Sequence, residues 1–176
     1  MRIRSIAASV PTRRVSTEDI VERVRQASAS SLPPEQIEQV IKRLRILFRL
    51  AGSRDHYERG SGERASDFVI SAAREALAKA DLLPGDIDLV LYVGVGRGWL
   101  EPGTSNYFTH ALGLRNATCF DVLDACLSWL RALYIAYHFL KNGAYKHILI
   151  LNGEFNAGYG NWRITHPKQL DYRFAQ

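Results

Sequence analysis

At 176 residues the chain is long enough for one domain with a sizeable core, and 47% hydrophobic residues exclude a disordered polymer. Its 23 basic and 18 acidic residues leave a formal charge of +5, a mild excess that suits an anionic partner but, without a nucleic-acid motif, gives no reason to expect DNA or RNA. Two cysteines, Cys119 and Cys126, are too few for a disulfide framework and lack metal-ligand spacing, so a reducing, cytoplasmic setting and no metal site are expected.

Residues Arg2 to Val10 run apolar and stop at Pro11, which predicts a first strand rather than a signal peptide. Ser16 stands three residues before Asp19 and predicts a helix start with a partial capping box, the helix running from Thr17 to about Gln26. Pro33 and Pro34 suit a second helix start. Ile37, Val40, Ile41, Leu44, Leu47 and Phe48 then recur at helical spacing, with Lys42, Arg43, Arg45 and Arg49 on the remaining face. That basic face is either solvated or a docking surface for an acidic partner. Ala51 to Glu63 reads as loop, and Ser66 or Asp67 as the cap of a third helix reaching Ala80. "IDLVLYVGVG" is a continuous apolar run of strand length, as found in strands buried on both faces. A short helix over "TSNYFTHALGL", a strand over "ATCFDV", a long helix from Cys126 to Lys141 and a last strand over "AYKHILILNGEF" follow. No pattern assigns the polar tail after Asn156.

Strands alternating with helices predict an α/β domain with a mostly parallel sheet and helices on both faces. The helix from Cys126 is apolar almost all round, Arg131 being its only strongly charged residue before Lys141. A sheet covers one side of such a helix, so the other side needs a second layer from a partner chain or a further domain. Arg131 and His138 break the longest apolar stretch, and no membrane span is expected.

Cys126 carries the chemistry. A thiol attacks as thiolate, and a helix N-terminus favours that form through its unpaired N–H groups and positive dipole end. The same amides suit the oxyanion formed when a thiolate adds to a thioester. On position alone Cys126 is either such a nucleophile or an inert, packed thiol. Cys119, inside an apolar strand, reads as packing.

Taken in order, "AAREALAKADLLPGDIDLVLYVGVG" and "EPGTSNYFTHALGLRNATCFDVLDACLSWLRALYIAYHFLKNGAYKHILILNGE" resemble the N-terminal half of β-ketoacyl-acyl-carrier-protein synthase III and its thiolase-fold relatives. The features are a "PxDID" turn, a helix ending "LG", an "FDV" strand, an "AC" at a helix start and a "G.YK" before the last strand. The resemblance implies one half of a thiolase-like α/β fold over residues 1–176, with 33–64 as a helix and loop insertion, 156–176 as an irregular tail, and a C-terminal half outside this chain. It implies that Cys126 takes an acyl group from a coenzyme A or acyl-carrier-protein thioester and condenses it with a second acyl thioester, with no bound cofactor. It also implies a homodimer through the "FDV" strand, or assembly with a complementary C-terminal half. The alternatives are a non-catalytic subunit that stabilises a partner, and acyl transfer without condensation.

Here "CLSW" replaces the family's small residues after the nucleophile, so Leu127 and Trp129 would shape the acyl-pocket entrance. Arg49 and Arg54, the first and last residues of "RLAGSR", a loose match to the family's "RTGI" signature, are candidate phosphate contacts, and Trp99 is a candidate pocket or dimer-contact residue. "VGVGRG" lacks the GxGxxG spacing of a dinucleotide loop. His56, His110, His138, His147 and His166 match no family catalytic position and read as surface or packing residues.

Overall fold

A computed structural model describes residues 1–95, 98, 101–153 and 163–168. The chain divides into two units, Met1–Val10 with Ser61–Ala157, and Pro11–Gly60 with Gly158–Gln176.

The first unit is built on β3 (Leu89–Val93), all five residues of which are buried. It lies between β4 (Thr118–Val122) and β5 (Ile148–Asn152), parallel to both. Full burial explains the continuous apolar run, since a central parallel strand has no wet face. Val90 and Tyr92 point to one side, where α3 (Ala65–Ala80) and α4 (Thr104–Ala111) add Val69, Ala73, Leu77 and Phe108. Leu89, Leu91 and Val93 point to the other, onto α5 (Ser128–Lys141). Each such side chain stabilises the fold by roughly 1.5–3 kcal/mol. This is the expected α/β sheet covered on both faces.

Side chains pin both ends of the sheet. At its amino end the Asp88 carboxylate accepts from the amides of Lys146 (2.8 Å) and His147 (2.9 Å), fixing the turn into β5. Asp86 accepts from the Leu83 amide at 2.7 Å, so both aspartates of "PGDID" are tied to backbone. At the carboxyl end Asn152 donates to the Val93 carbonyl at 3.0 Å, and the Tyr92 hydroxyl donates to the Gly153 carbonyl.

Two expectations for this unit need correction. Residues Arg2 to Val10 form no ladder among the described residues; Arg4 and Ser5 instead donate side-chain hydrogen bonds to the Ala80 (2.8 Å) and Ala76 (2.7 Å) carbonyls of α3. Helix α3 begins at Ala65 after an Arg64 N-cap that makes no side-chain bond, and Ser66 is buried within its first turn.

In the second unit α1 (Thr17–Ser28) and α2 (Pro34–Leu50) share a core of Val21, Val24, Ile37, Val40 and Ile41. The Ser16 capping box forms as read: the Ser16 amide donates to Asp19 (3.0 Å) and the Asp19 amide to Ser16 Oγ (3.1 Å). The unit also holds an antiparallel pair, β1 (Arg13–Ser16) and β2 (Asp55–Glu58), the latter inside the segment Ala51 to Glu63 that reads as loop. Ion pairs between Arg14 and Asp55 and between Arg13 and Glu58 join these strands, and Val15 is the one buried residue of the pair.

Candidate active site

Cys126 is exposed in the connection between the carboxyl end of β4 and α5. Helices α4 and α5, which follow the adjacent strands β3 and β4 in the chain, cover opposite faces of the sheet. In open α/β sheets, ligands bind at such a place. Residues Asp124 to Ser128 make a tight turn there. The Leu127 amide donates to the Asp124 carbonyl (2.9 Å) and the Ser128 amide to the Ala125 carbonyl (3.2 Å). Ser128 Oγ accepts from the Asp124 amide and donates to the Ala125 carbonyl, both at 2.7 Å.

Ala125 has φ 44°. This left-handed conformation is uncommon for a residue with a Cβ, and it belongs to a turn over Asp124 to Leu127 that stands where the first helical turn is expected. The expected helix from Cys126 therefore begins at Ser128, and Cys126 immediately precedes the Leu127 N-cap. The first amides of a helix have no acceptor inside it; in α5 the Ser128 amide is taken by the Ala125 carbonyl, and those of Trp129 and Leu130 follow in the first turn. Asp124 is bound by Arg131, whose Nε and Nη2 both reach Oδ2, at 3.0 and 2.8 Å.

Small residues on α5 allow its close approach to the sheet: Ser128, Ala132 and Ala136 are its buried positions. Its other face is apolar and open, with Leu130 60% and Tyr134 61% exposed and Leu127, Trp129 and Tyr137 beside them. The expected helix with no wet face thus has one covered side and one bare hydrocarbon side. Phe120 and Leu123 extend the exposed apolar surface beyond the helix.

Leu127 adjoins Cys126 and is exposed. Arg49, in the last turn of α2, and Arg54, just before β2, are exposed residues of the second unit. Trp99 lies outside the described residues. Cys119 is half-buried on β4. His138 sits between the rings of Tyr134 and Tyr137, at 4.5 and 5.2 Å, and His56 packs edge-on to Phe48 at 5.2 Å. His147 Nδ1 lies 3.0 Å from the Asp86 carbonyl, and His166 accepts the Lys168 amide. His110 is exposed at the end of α4.

Sequence reasoning missed three residues that shape the turn, namely Asp124, Ser128 and Arg131. A charged side chain inside an otherwise apolar helix was the available signal for Arg131. It also missed Asp121, whose carboxylate accepts the amides of Thr104 (2.9 Å) and Ser105 (2.8 Å) at the start of α4. Among the described residues no group of three His, Cys, Asp or Glu side chains is arranged to hold a metal ion. No described helix is long and apolar enough to cross a membrane.

Residues 120–172 match the family model for 3-oxoacyl-[acyl-carrier-protein] synthase III. A β-ketoacyl-[acyl-carrier-protein] synthase III of Thiobacillus denitrificans is 34% identical over 112 residues, covering 63% of this chain and 35% of that protein. Among solved structures, a variant of OleA from Xanthomonas campestris has a TM-score of 0.71 at 26% identity, covering 86% of this chain and 42% of that one. A second variant of OleA, with bound lauric acid and lauroyl-CoA, has a TM-score of 0.69 at 25% identity and covers 43% of that chain. The chain therefore spans less than half the length of these proteins. By sequence and by fold it is similar to part of the β-ketoacyl-[acyl-carrier-protein] synthase III-like enzymes of the thiolase fold.

Proposed function

We propose that this chain is the N-terminal, nucleophile-bearing half of an acyl-thioester condensing enzyme, with Cys126 as the acyl acceptor. The observation that carries the reading is an exposed thiol on a tightly bonded turn at the carboxyl end of the sheet, immediately before the amino end of α5. The Cys126 thiolate attacks the carbonyl carbon of an acyl-coenzyme A or acyl-carrier-protein thioester. The oxyanion of the tetrahedral adduct faces the first amides of α5, and its collapse expels the carrier as a thiolate that takes up a proton. Cys126 is left as an S-acyl thioester. In the second step a second acyl thioester loses CO2 from an α-carboxylate, or an α-proton to a base of the complementary half. The electron pair left on its α-carbon attacks the carbonyl of the S-acyl group, a carbon–carbon bond forms, and the Cys126 thiolate departs. Groups that stabilise the carbanion belong to a complementary C-terminal half, and no residue of this chain is given that role.

Two further features support assembly. The bare face of α5 fits a helix that the complementary half covers. The edge strand β4, with Phe120 exposed, fits pairing with a second copy of the chain. Leu127 would line the acyl entrance, with Trp99 as a pocket or dimer contact, and Arg49 and Arg54 would contact phosphates of a carrier.

That same bare face also favours a second reading, a non-catalytic subunit that stabilises a partner. Co-expression with a complementary half, followed by an assay for β-ketoacyl product from acyl-coenzyme A and a carrier-protein thioester, separates the two. Product that disappears in Cys126→Ala supports the condensing enzyme. A stable complex with no product and no acylated cysteine supports the subunit. Acyl transfer without carbon–carbon bond formation would give the acylated cysteine and its hydrolysis, but no β-ketoacyl product.

A further inference from the structure

We infer that Arg131 is a positioning residue for Cys126: through Asp124 it holds closed the turn that presents the thiol. The inference rests on the reading of Cys126 as acyl acceptor, and begins from the cost of the turn itself. Ala125 is held at φ 44°, a conformation that persists only where its surroundings over-determine it. Ser128 Oγ supplies two of the restraints, to the Asp124 amide and the Ala125 carbonyl. Both act on the backbone of the turn from the adjoining first residue of α5. Arg131 is different. It reaches back from the fourth residue of α5 and fixes the Asp124 side chain with two donors on one oxygen, at 3.0 and 2.8 Å.

Helix electrostatics do not explain an arginine there, because a cation near a helix N-terminus opposes the dipole. Hydrophobic packing does not explain it either, since Leu130 and Tyr134 flank it on an apolar surface. What the guanidinium does have is a planar fork of donors in fixed geometry, suited to hold a carboxylate in one place. With both partners about half exposed, the pair contributes little to global stability. Its effect should therefore be local.

Two readouts on this chain separate the clamp from the nucleophile. The first is amide hydrogen exchange at Leu127 and Ser128, whose N–H groups close the turn; the second is the rate at which lauroyl-coenzyme A acylates Cys126, followed by mass spectrometry. Arg131→Ala and Asp124→Asn should each speed exchange at the two amides at least 10-fold. They should slow acylation at least 10-fold while iodoacetamide, a small probe indifferent to orientation, alkylates Cys126 within 2-fold of the parent rate. The exchanged pair Asp124→Arg with Arg131→Asp should recover both exchange and acylation to within 3-fold. Parental exchange in Arg131→Ala overturns the clamp. So does accelerated exchange with parental acylation, and so does a loss of acylation and alkylation alike. If the parent chain takes no acyl group even with the complementary half present, while exchange responds as stated, the turn is clamped by Arg131 but the assignment of Cys126 fails, and with it the positioning role.

Discussion

The carboxylate of Asp121 on β4 accepts a 2.9 Å hydrogen bond from the backbone N–H of Thr104, in the first turn of α4. Its second oxygen takes the Ser105 amide at 2.8 Å. A strand residue thus caps a helix that has no capping side chain of its own, because Gly103 precedes it. Asp121→Ala removes both acceptors and should cost about 1–2 kcal/mol, measured as a shift in the urea midpoint with an unchanged slope. Gly103→Ala tests the same contact from the other side. Its new Cβ would meet the Asp121 carboxylate at 3.2–3.3 Å, so about 1–3 kcal/mol should be lost to crowding.

Ala125 offers a change in the opposite direction. Glycine adopts positive φ without steric cost, so Ala125→Gly should stabilise the chain slightly, by up to about 1 kcal/mol in urea unfolding. A loss of stability larger than that would show that the methyl group packs usefully despite its exposure.

Much of the first unit was legible because its residues answer to period and burial. The five-residue apolar run of β3 and the strands β4 and β5 fall where pattern placed them, while the "PGDID" turn was noted through the family resemblance. The Ser16–Asp19 box was legible for the same reason, since both partners lie within one turn of chain. What was missed depends on long-range or conformational terms. No propensity scale gives Ala125 a left-handed φ, so the start of α5 was read two residues early. The pairing of Arg13 with Glu58 joins residues 45 apart through an ion pair. Asp121 caps a helix seventeen residues away in sequence, and nothing local announces it.

The bare face of α5 has a physical consequence in solution. Leu130 and Tyr134, at 60% and 61% exposure, present hydrocarbon that water disfavours. The chain without a complementary half should self-associate, and Leu130→Lys with Tyr134→Lys should reduce the light-scattering mass toward that of the monomer. Because these side chains are exposed, the melting temperature should change little. Retained association in the double variant would assign it to another surface, the edge of β4 first.

The second unit should be sensitive to acid. Glu18 is held below the ordinary carboxylate range by its hydrogen bond from Arg45, and Asp19 by those from Ser16. Glu22 is held low by Gln26 and then Arg25, Glu38 by Arg25, and Asp55 by Arg14. Each is more acidic folded than unfolded, so its stabilising contribution is complete above the ordinary range of about 4 and is lost as pH falls through the lower folded values. Thermal melts should therefore fall from pH 7 to pH 3. All five groups are exposed, so about 1 M salt should shrink the difference. A pH dependence that salt leaves untouched would contradict this assignment.

The account stands most directly on the chemistry of one sulfur. Incubation of the chain with lauroyl-coenzyme A, proteolysis and mass spectrometry should find the lauroyl group on the peptide that contains Cys126, labile to hydroxylamine as a thioester is, and absent after Cys126→Ala. A lauroyl group found only on the Cys119 peptide, or on neither peptide with the complementary half present, would contradict it.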